Sequence, residues 1–200
     1  MKQLNDISFE ESESGEEEFE NIKNVQRLPQ TILTEENLRV YLTSETEKLN
    51  LEHSYWLKDA FIDKIGRMSP NLRHLSLRRL KVSNKAFTEI MTHMKYLERV
   101  DISDCPNIYE SGMKVLLSNN KSTLQQLQCS NTSSAITDNV IDLLVQAPNL
   151  TFLDISYAKQ VTDDGMACFK DKVLPIKKLF VNGLTGISAV GLTELINSCR

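Results

Sequence analysis

From residue 46 onward, apolar and polar positions follow two rhythms that keep recurring. The first is a six-residue phrase with key positions first, fourth and sixth. It reads Thr46-x-x-Leu49-x-Leu51, Leu72-x-x-Leu75-x-Leu77 and Leu97-x-x-Val100-x-Ile102, then Leu124-x-x-Leu127-x-Cys129, Leu150-x-x-Leu153-x-Ile155 and Ile176-x-x-Leu179-x-Val181. The starts lie 26, 25, 27, 26 and 26 residues apart, a fixed period that marks an internal repeat. The alternation within the phrase predicts a short strand. The second rhythm follows in step. One apolar residue comes ten to twelve positions after each start (Leu57, Val82, Ile108, Ile136, Val161, Ile187). Two further columns, Ile62, Phe87, Met113, Ile141, Met166, Leu192 and Ile65, Ile90, Leu116, Leu144, Phe169, Leu195, are three residues apart, which puts them on one face of a helix.

Each unit is therefore strand, turn, helix. A five-residue strand or a helix of two or three turns is unstable alone. Stacking repeats solves this by lining the strands into a parallel sheet and merging the apolar columns into one core. The prediction is an α/β solenoid of about six repeats of 25–27 residues, with a curved parallel sheet on the concave face and helices on the convex face. Thr137-Asp138, Thr162-Asp163, Asn84 and Ser188 stand where helix N-caps are needed, and capping is their expected role.

The flanks read differently. Residues 1–20 hold eight acids and one base, Lys2, and are expected to be a disordered acidic tail. Residues 21–45 fit an N-terminal capping segment, a half-repeat with Leu33 before the helix, Thr34 as cap, and Leu38 and Tyr41 as the helix columns. Leu33 and Leu38 would form a hydrophobic staple. The repeat domain is assigned to 46–200. The sequence given stops at Cys199-Arg200, where another strand would start, so the last repeat should expose a sheet edge and part of its core. Continuation of the chain and cover by a partner are both open.

Charge narrows the function classes. The chain has 27 acids and 23 bases, so outside residues 1–20 there remain 19 acids and 22 bases. That excess is too small for a phosphate-tracking surface, so no nucleic-acid partner is expected. There is no apolar run of signal-peptide or membrane-span kind near Met1 or elsewhere. The expected setting is intracellular and cytoplasmic, with cytoskeletal, ciliary or nuclear placement open. The sequons at Asn131 and Asn149 are then chance matches. Cys105, Cys129, Cys168 and Cys199 form no C-x-x-C pair and should be reduced thiols that pack as small hydrophobes.

The segments Leu97–Met113 (LERVDISDCPNIYESGM) and Leu150–Met166 (LTFLDISYAKQVTDDGM) resemble the cysteine-containing leucine-rich repeat of F-box/LRR proteins. The resemblance spans about residues 31–200. Only Cys105 fills the cysteine position; Ser54, Leu80, Thr132, Ala158 and Leu184 stand there in the other units. The resemblance implies a non-enzymatic protein-binding module, either an adaptor or structural subunit (ciliary axonemes included) or the substrate-recognition subunit of a cullin ubiquitin ligase. Leu28-Pro29-Gln30-Thr31-Ile32-Leu33 resembles an F-box opening. Only 12 residues separate Leu33 from Thr46, whereas three helices need roughly 40 residues, so a complete F-box is not expected.

Enzyme chemistry has no support in the motifs. There is no phosphate loop, nucleophile elbow or H-E-x-x-H. His53, His74 and His93 lie in different units and read as surface histidines. No cofactor or metal is expected. A protein partner is, and it should meet the strand positions between core residues, two, four and six after each start. These candidates include His74, Arg78, Arg99, Asp101, Phe152, Asp154, Lys178 and Phe180. Phe152 and Phe180 are one diagonal apart on adjacent strands and should be exposed; they form a binding anchor unless another segment covers them. The bases Arg73, His74, Arg78, Arg79, Lys81 and Arg99 form either a solvated face or a site for an acidic partner, Glu10–Glu20 of the chain itself among the candidates.

Overall fold

The computed structural model describes residues 26–27, 35–132 and 134–199. The expected acidic tail, Leu33, Thr34 with its staple, and the F-box-like run Leu28–Leu33 all lie outside the described residues. Seven strands form one parallel sheet in chain order, β1 (Gln26–Arg27), β2 (Lys48–Asn50), β3 (His74–Ser76), β4 (Arg99–Asp101), β5 (Gln126–Gln128), β6 (Phe152–Asp154) and β7 (Lys178–Phe180). Helices α1 (Glu35–Tyr41), α2 (Asp59–Met68), α3 (Asn84–His93), α4 (Glu110–Asn120), α5 (Asp138–Leu144), α6 (Asp163–Met166) and α7 (Ala189–Ser198) alternate with the strands, and each packs on the next. A 3₁₀ turn, Ala167–Phe169, extends the short α6. The chain is a leucine-rich-repeat solenoid.

The register follows the repeat period. Leu49, Leu75, Val100, Leu127, Leu153 and Leu179 stand opposite one another across six strands. The first five are fully buried and join both helix columns in one core, which includes Ile62, Phe87, Met113 and Ile141. Each such side chain contributes about 1.5–3 kcal/mol by burial. The cysteine position is buried as well. Cys105 Sγ donates to the Leu77 carbonyl of the preceding strand, and Thr132 Oγ1 donates to the Cys129 carbonyl at 2.7 Å.

Two features depart from the sequence reading. Strand β1 lies in the segment expected to be a half-repeat without a strand, and it pairs Gln26 with Leu49 and Arg27 with Asn50. Two residues carry no periodicity to detect. The second inward position belongs to Leu42, one residue past the end of α1 and 2 % exposed, while Tyr41 is 36 % exposed. The helix meets its neighbour at a spacing of four residues instead of three, which falls on the same face.

Three residues past each of β2–β7 stands a residue with positive φ: His53, Arg79, Asp104, Asn131, Tyr157 and Gly183, at 56–65°. This left-handed step costs a non-glycine residue roughly 1 kcal/mol. It is repaid locally (the N–H groups of Arg79, Asp104, Asn131 and Tyr157 each donate to a carbonyl of the following repeat). At the β7 end, Val181, Leu184, Ile187 and Leu192 are only half-buried and line a recess of about 530 Å³ with Tyr157.

Candidate protein-binding face

The face of the sheet turned away from the helices carries two columns of strand side chains. The first runs Lys48, His74, Arg99, Gln126, Phe152, Lys178 in register. It contains three permanent cations and no acid. The second runs Asn50, Ser76, Asp101, Gln128, Asp154, Phe180.

The second column is tied to the backbone. Asn50 Oδ1 accepts from the Glu52 N–H at 2.8 Å; Asp101 and Asp154 accept from the Ser103 and Ser156 N–H groups, both at 2.9 Å. These turns close the strand end two residues on. Asp101 is therefore not an open contact residue; it is 2 % exposed. Burial pushes its carboxyl up to about 6, against the Ser103 hydrogen bonds that favour the charged form. Burial also raises Asp154, again opposed by Ser156.

His74 is not a surface histidine either, at 9 % exposure. Its ring lies beside Glu98, with Nε2 3.8 Å from the carboxylate. Burial, then the charges of Arg99 and Lys48, pushes its pKa down to about 4. Burial, aided by these neighbouring cations, keeps the imidazole neutral at physiological pH. His74 Nδ1 and Arg99 Nε are shielded from water with no hydrogen-bond partner among the described residues.

The wider basic patch is largely neutralised at its rim. Arg73 pairs with Glu98 at 2.5 Å and with Glu47. Glu52 lies 3.3 Å from Arg79 and 3.7 Å from Arg78, and Arg79 also approaches Asp104. Glu47, Glu52 and Glu98 belong to neighbouring strand ends, so a count of bases in sequence missed them. Arg99, between β3 and β5, has no such ion pair among the described residues.

Phe152 and Phe180 do meet, with ring centroids 5.4 Å apart and planes tilted by 37°. Their exposure differs from expectation: Phe152 is 3 % exposed and Phe180 is half-buried. Phe152 sits one strand in from β7 and has neighbours on both sides; Phe180 stands on the edge strand, beside exposed Lys178. The accessible part of the aromatic pair is therefore Phe180.

The inter-repeat loops hold polar ties that the sequence reading took for caps. Thr162 and Ser188 do cap, accepting from Asp164 and Val190 N–H groups. Ser83, not Asn84, caps α3. Asn84, Asp138 and Asp163 reach into the next repeat and accept from the Tyr109, Thr162 and Ser188 N–H groups at 2.8–2.9 Å. Thr137 makes no cap bond and donates to Glu110 instead. The glycine two or three positions into the helix makes room: a Cβ at Gly165 would lie 2.2 Å from Asp138 Oδ1, and at Gly191 2.3 Å from Asp163 Oδ1.

Among the described residues no group of three His, Cys, Asp or Glu could hold a metal ion, and no helix is long and apolar enough to cross a membrane. No family model matches the chain. Among solved structures it is similar to the crystal structure of a TLR13–ssRNA13 complex (18 % identity, TM-score 0.49, covering 80 % of this chain and 24 % of that one). It is also similar to the crystal structure of the Rad7 and Elc1 complex in yeast (16 % identity, TM-score 0.34, covering 84 % and 65 %). The chain thus spans about a quarter of the first and under two thirds of the second. The fold assignment rests on the sheet register and the buried repeat columns, not on these likenesses.

Proposed function

We propose that this chain is a non-enzymatic protein-binding module, an adaptor or structural subunit of an intracellular assembly, that engages its partner on the concave face. The observation that carries this reading is the juxtaposition on β4–β7 of Arg99, the Phe152–Phe180 pair and exposed Lys178. An aromatic set among cations, on strands held by a repeat core, is a rigid anchor for a partner. Phe180, Lys178 and Arg99 would make direct contact; Arg78 and Asp154 would flank it, and Asp101, His74 and Phe152 would shape the floor. A ciliary or axonemal assembly is one home for such a subunit.

The test is recovery of partners from native extract with the intact chain and a Phe180→Ala/Lys178→Glu variant, both checked by circular dichroism. Phe180 is used because truncating buried Phe152 would cost stability, about 3 kcal/mol or more. Loss of a dominant partner from the folded variant supports the concave site; equal recovery overturns it. The likeness of Leu97–Met113 and Leu150–Met166 to the repeats of F-box/LRR proteins supports a second reading, the substrate receptor of a cullin ubiquitin ligase. Copurification of a Skp-type adaptor and a cullin would decide for it.

A further inference from the structure

The outer edge of β7 is laid out to receive another strand. In the inner repeats the first residue past each strand donates its N–H to the strand that follows: Leu77 to Asp101, Ile102 to Gln128, Cys129 to Asp154, Ile155 to Phe180. Tyr157, with positive φ, does the same to Asn182. In return the Thr151 carbonyl accepts from the Lys177 and Lys178 N–H groups. One repeat on, the equivalent groups are the Val181 and Gly183 N–H and the Lys177 carbonyl. None of these three has a partner among the described residues. Such an edge templates a further strand. Beside it lies the recess of about 530 Å³ among Tyr157, Val181, Leu184, Ile187 and Leu192. A strand that fits must therefore also turn apolar side chains inward.

One stretch before the repeats has that chemistry. Leu4-Asn5-Asp6-Ile7-Ser8-Phe9 carries apolar residues at the first, fourth and sixth positions, the phrase of the repeat strands, and it is the one full instance within residues 1–25. It holds no Gly or Pro to weaken a strand. Laid beside β7 in the register of the sheet, Leu4, Ile7 and Phe9 continue the columns of Ile176, Leu179 and Val181. Asp6 then falls beside exposed Lys178, an opposite-charge pair on neighbouring strands. The segment also reaches. At about 4.8 Å per strand, the position beyond β7 is about 34 Å from β1. Phe9 is seventeen residues before Gln26, which at about 3.3 Å per residue allows about 56 Å.

We propose that Leu4–Phe9 adds to the sheet as a strand parallel to β7 of its own chain, with Phe9 over the apolar recess. The tether favours the chain's own segment over that of a second copy, since it holds the segment at an effective concentration in the millimolar range. The added strand shields an edge that otherwise templates pairing between molecules. This concerns the end of the stack and stands apart from the reading of the concave face.

The test is amide hydrogen exchange followed by NMR on the full chain, the parent against Ile7→Asp/Phe9→Asp. Both substitutions lie outside the repeats, and circular dichroism checks that the fold is kept. The Val181 and Gly183 amides should exchange about tenfold faster in the variant, with the β2 and β3 amides unchanged. Ile7→Leu/Phe9→Leu, which keeps the apolar phrase, should exchange as the parent does. Equal exchange in parent and Asp variant, or loss of protection at β2 instead of β7, overturns the proposal. A labelled Asp variant mixed with unlabelled parent separates the two sources of the strand. Val181 and Gly183 should stay unprotected in the mixture; protection gained there would mean that the strand comes from a second copy, which also overturns it.

Discussion

Asn120 shows how much one side chain can hold. It is fully buried at the end of α4. Its Oδ1 accepts from the Leu97 N–H at 2.9 Å, and its Nδ2 donates to the Met94 and Leu116 carbonyls at 3.0 Å. It thereby satisfies the Leu97 N–H and Met94 carbonyl of the preceding loop and ties that loop to the Leu116 carbonyl of its own helix. Asn120→Ala leaves a buried donor and acceptors unmet, each costing about 1–3 kcal/mol. Denaturant unfolding should show a loss of about 3 kcal/mol, with Asn119→Ala, a half-buried neighbour with one such bond, losing clearly less. Nothing in the sequence set Asn120 apart, because an asparagine at a helix end is unremarkable until the carbonyls around it are known. His74 and Asp101 were legible as concave residues by their offsets, but not their burial, which depends on the strands beside them.

At the scale of elements, the strands and the two helix columns could be read from periodicity because each apolar position recurs against the same neighbour in every repeat. The turn chemistry could be read only in part. A threonine and aspartate before a helix look like a cap in isolation; the structure sends Asp138 forward to the Thr162 N–H and hydroxyl at 2.8 and 2.7 Å. This explains the glycine that follows in the next helix. Gly165→Ala drives a methyl group against Asp138 Oδ1, and overpacking of this kind costs about 1–3 kcal/mol. The cost should shrink when Asp138 is also changed to Ala, since the obstructing oxygen is gone. A double-mutant cycle by thermal or denaturant unfolding checks this: additive losses would mean that the glycine serves something other than the aspartate's approach.

The stability of the whole molecule should carry two opposed titrations from the concave face. His74 is held at about 4 against an ordinary 6.5, so the unfolded chain binds its proton first and stability falls as pH drops from 6.5 toward 4. Asp101 is raised to about 6 from 3.8, so the folded chain holds its proton longer and stability falls as pH rises from 3.8 through 6. Each amounts to roughly 3 kcal/mol at most, and over pH 4–6 they offset one another. Asp101→Asn should unmask the histidine and steepen acid destabilisation relative to the parent. His74→Gln should do the reverse, and unfolding curves measured from pH 4 to 7 would show it. Identical profiles for the parent and both variants would mean that neither group is perturbed by the face. The face's position was visible in the sequence; its electrostatics were not, because Glu47, Glu52 and Glu98 reach the arginines only once the strands are side by side.

In this sheet each strand is hydrogen-bonded only to those just before and after it in the chain. A force that draws the first strand from the last along the stack therefore acts on one seam at a time. The bonds at that seam open in sequence, as in a zip, instead of sharing the load. Each repeat that lets go frees about 26 residues, or roughly 85 Å of slack. Fixed at both ends to a moving partner, such a molecule would yield in steps and shorten again when the load is removed.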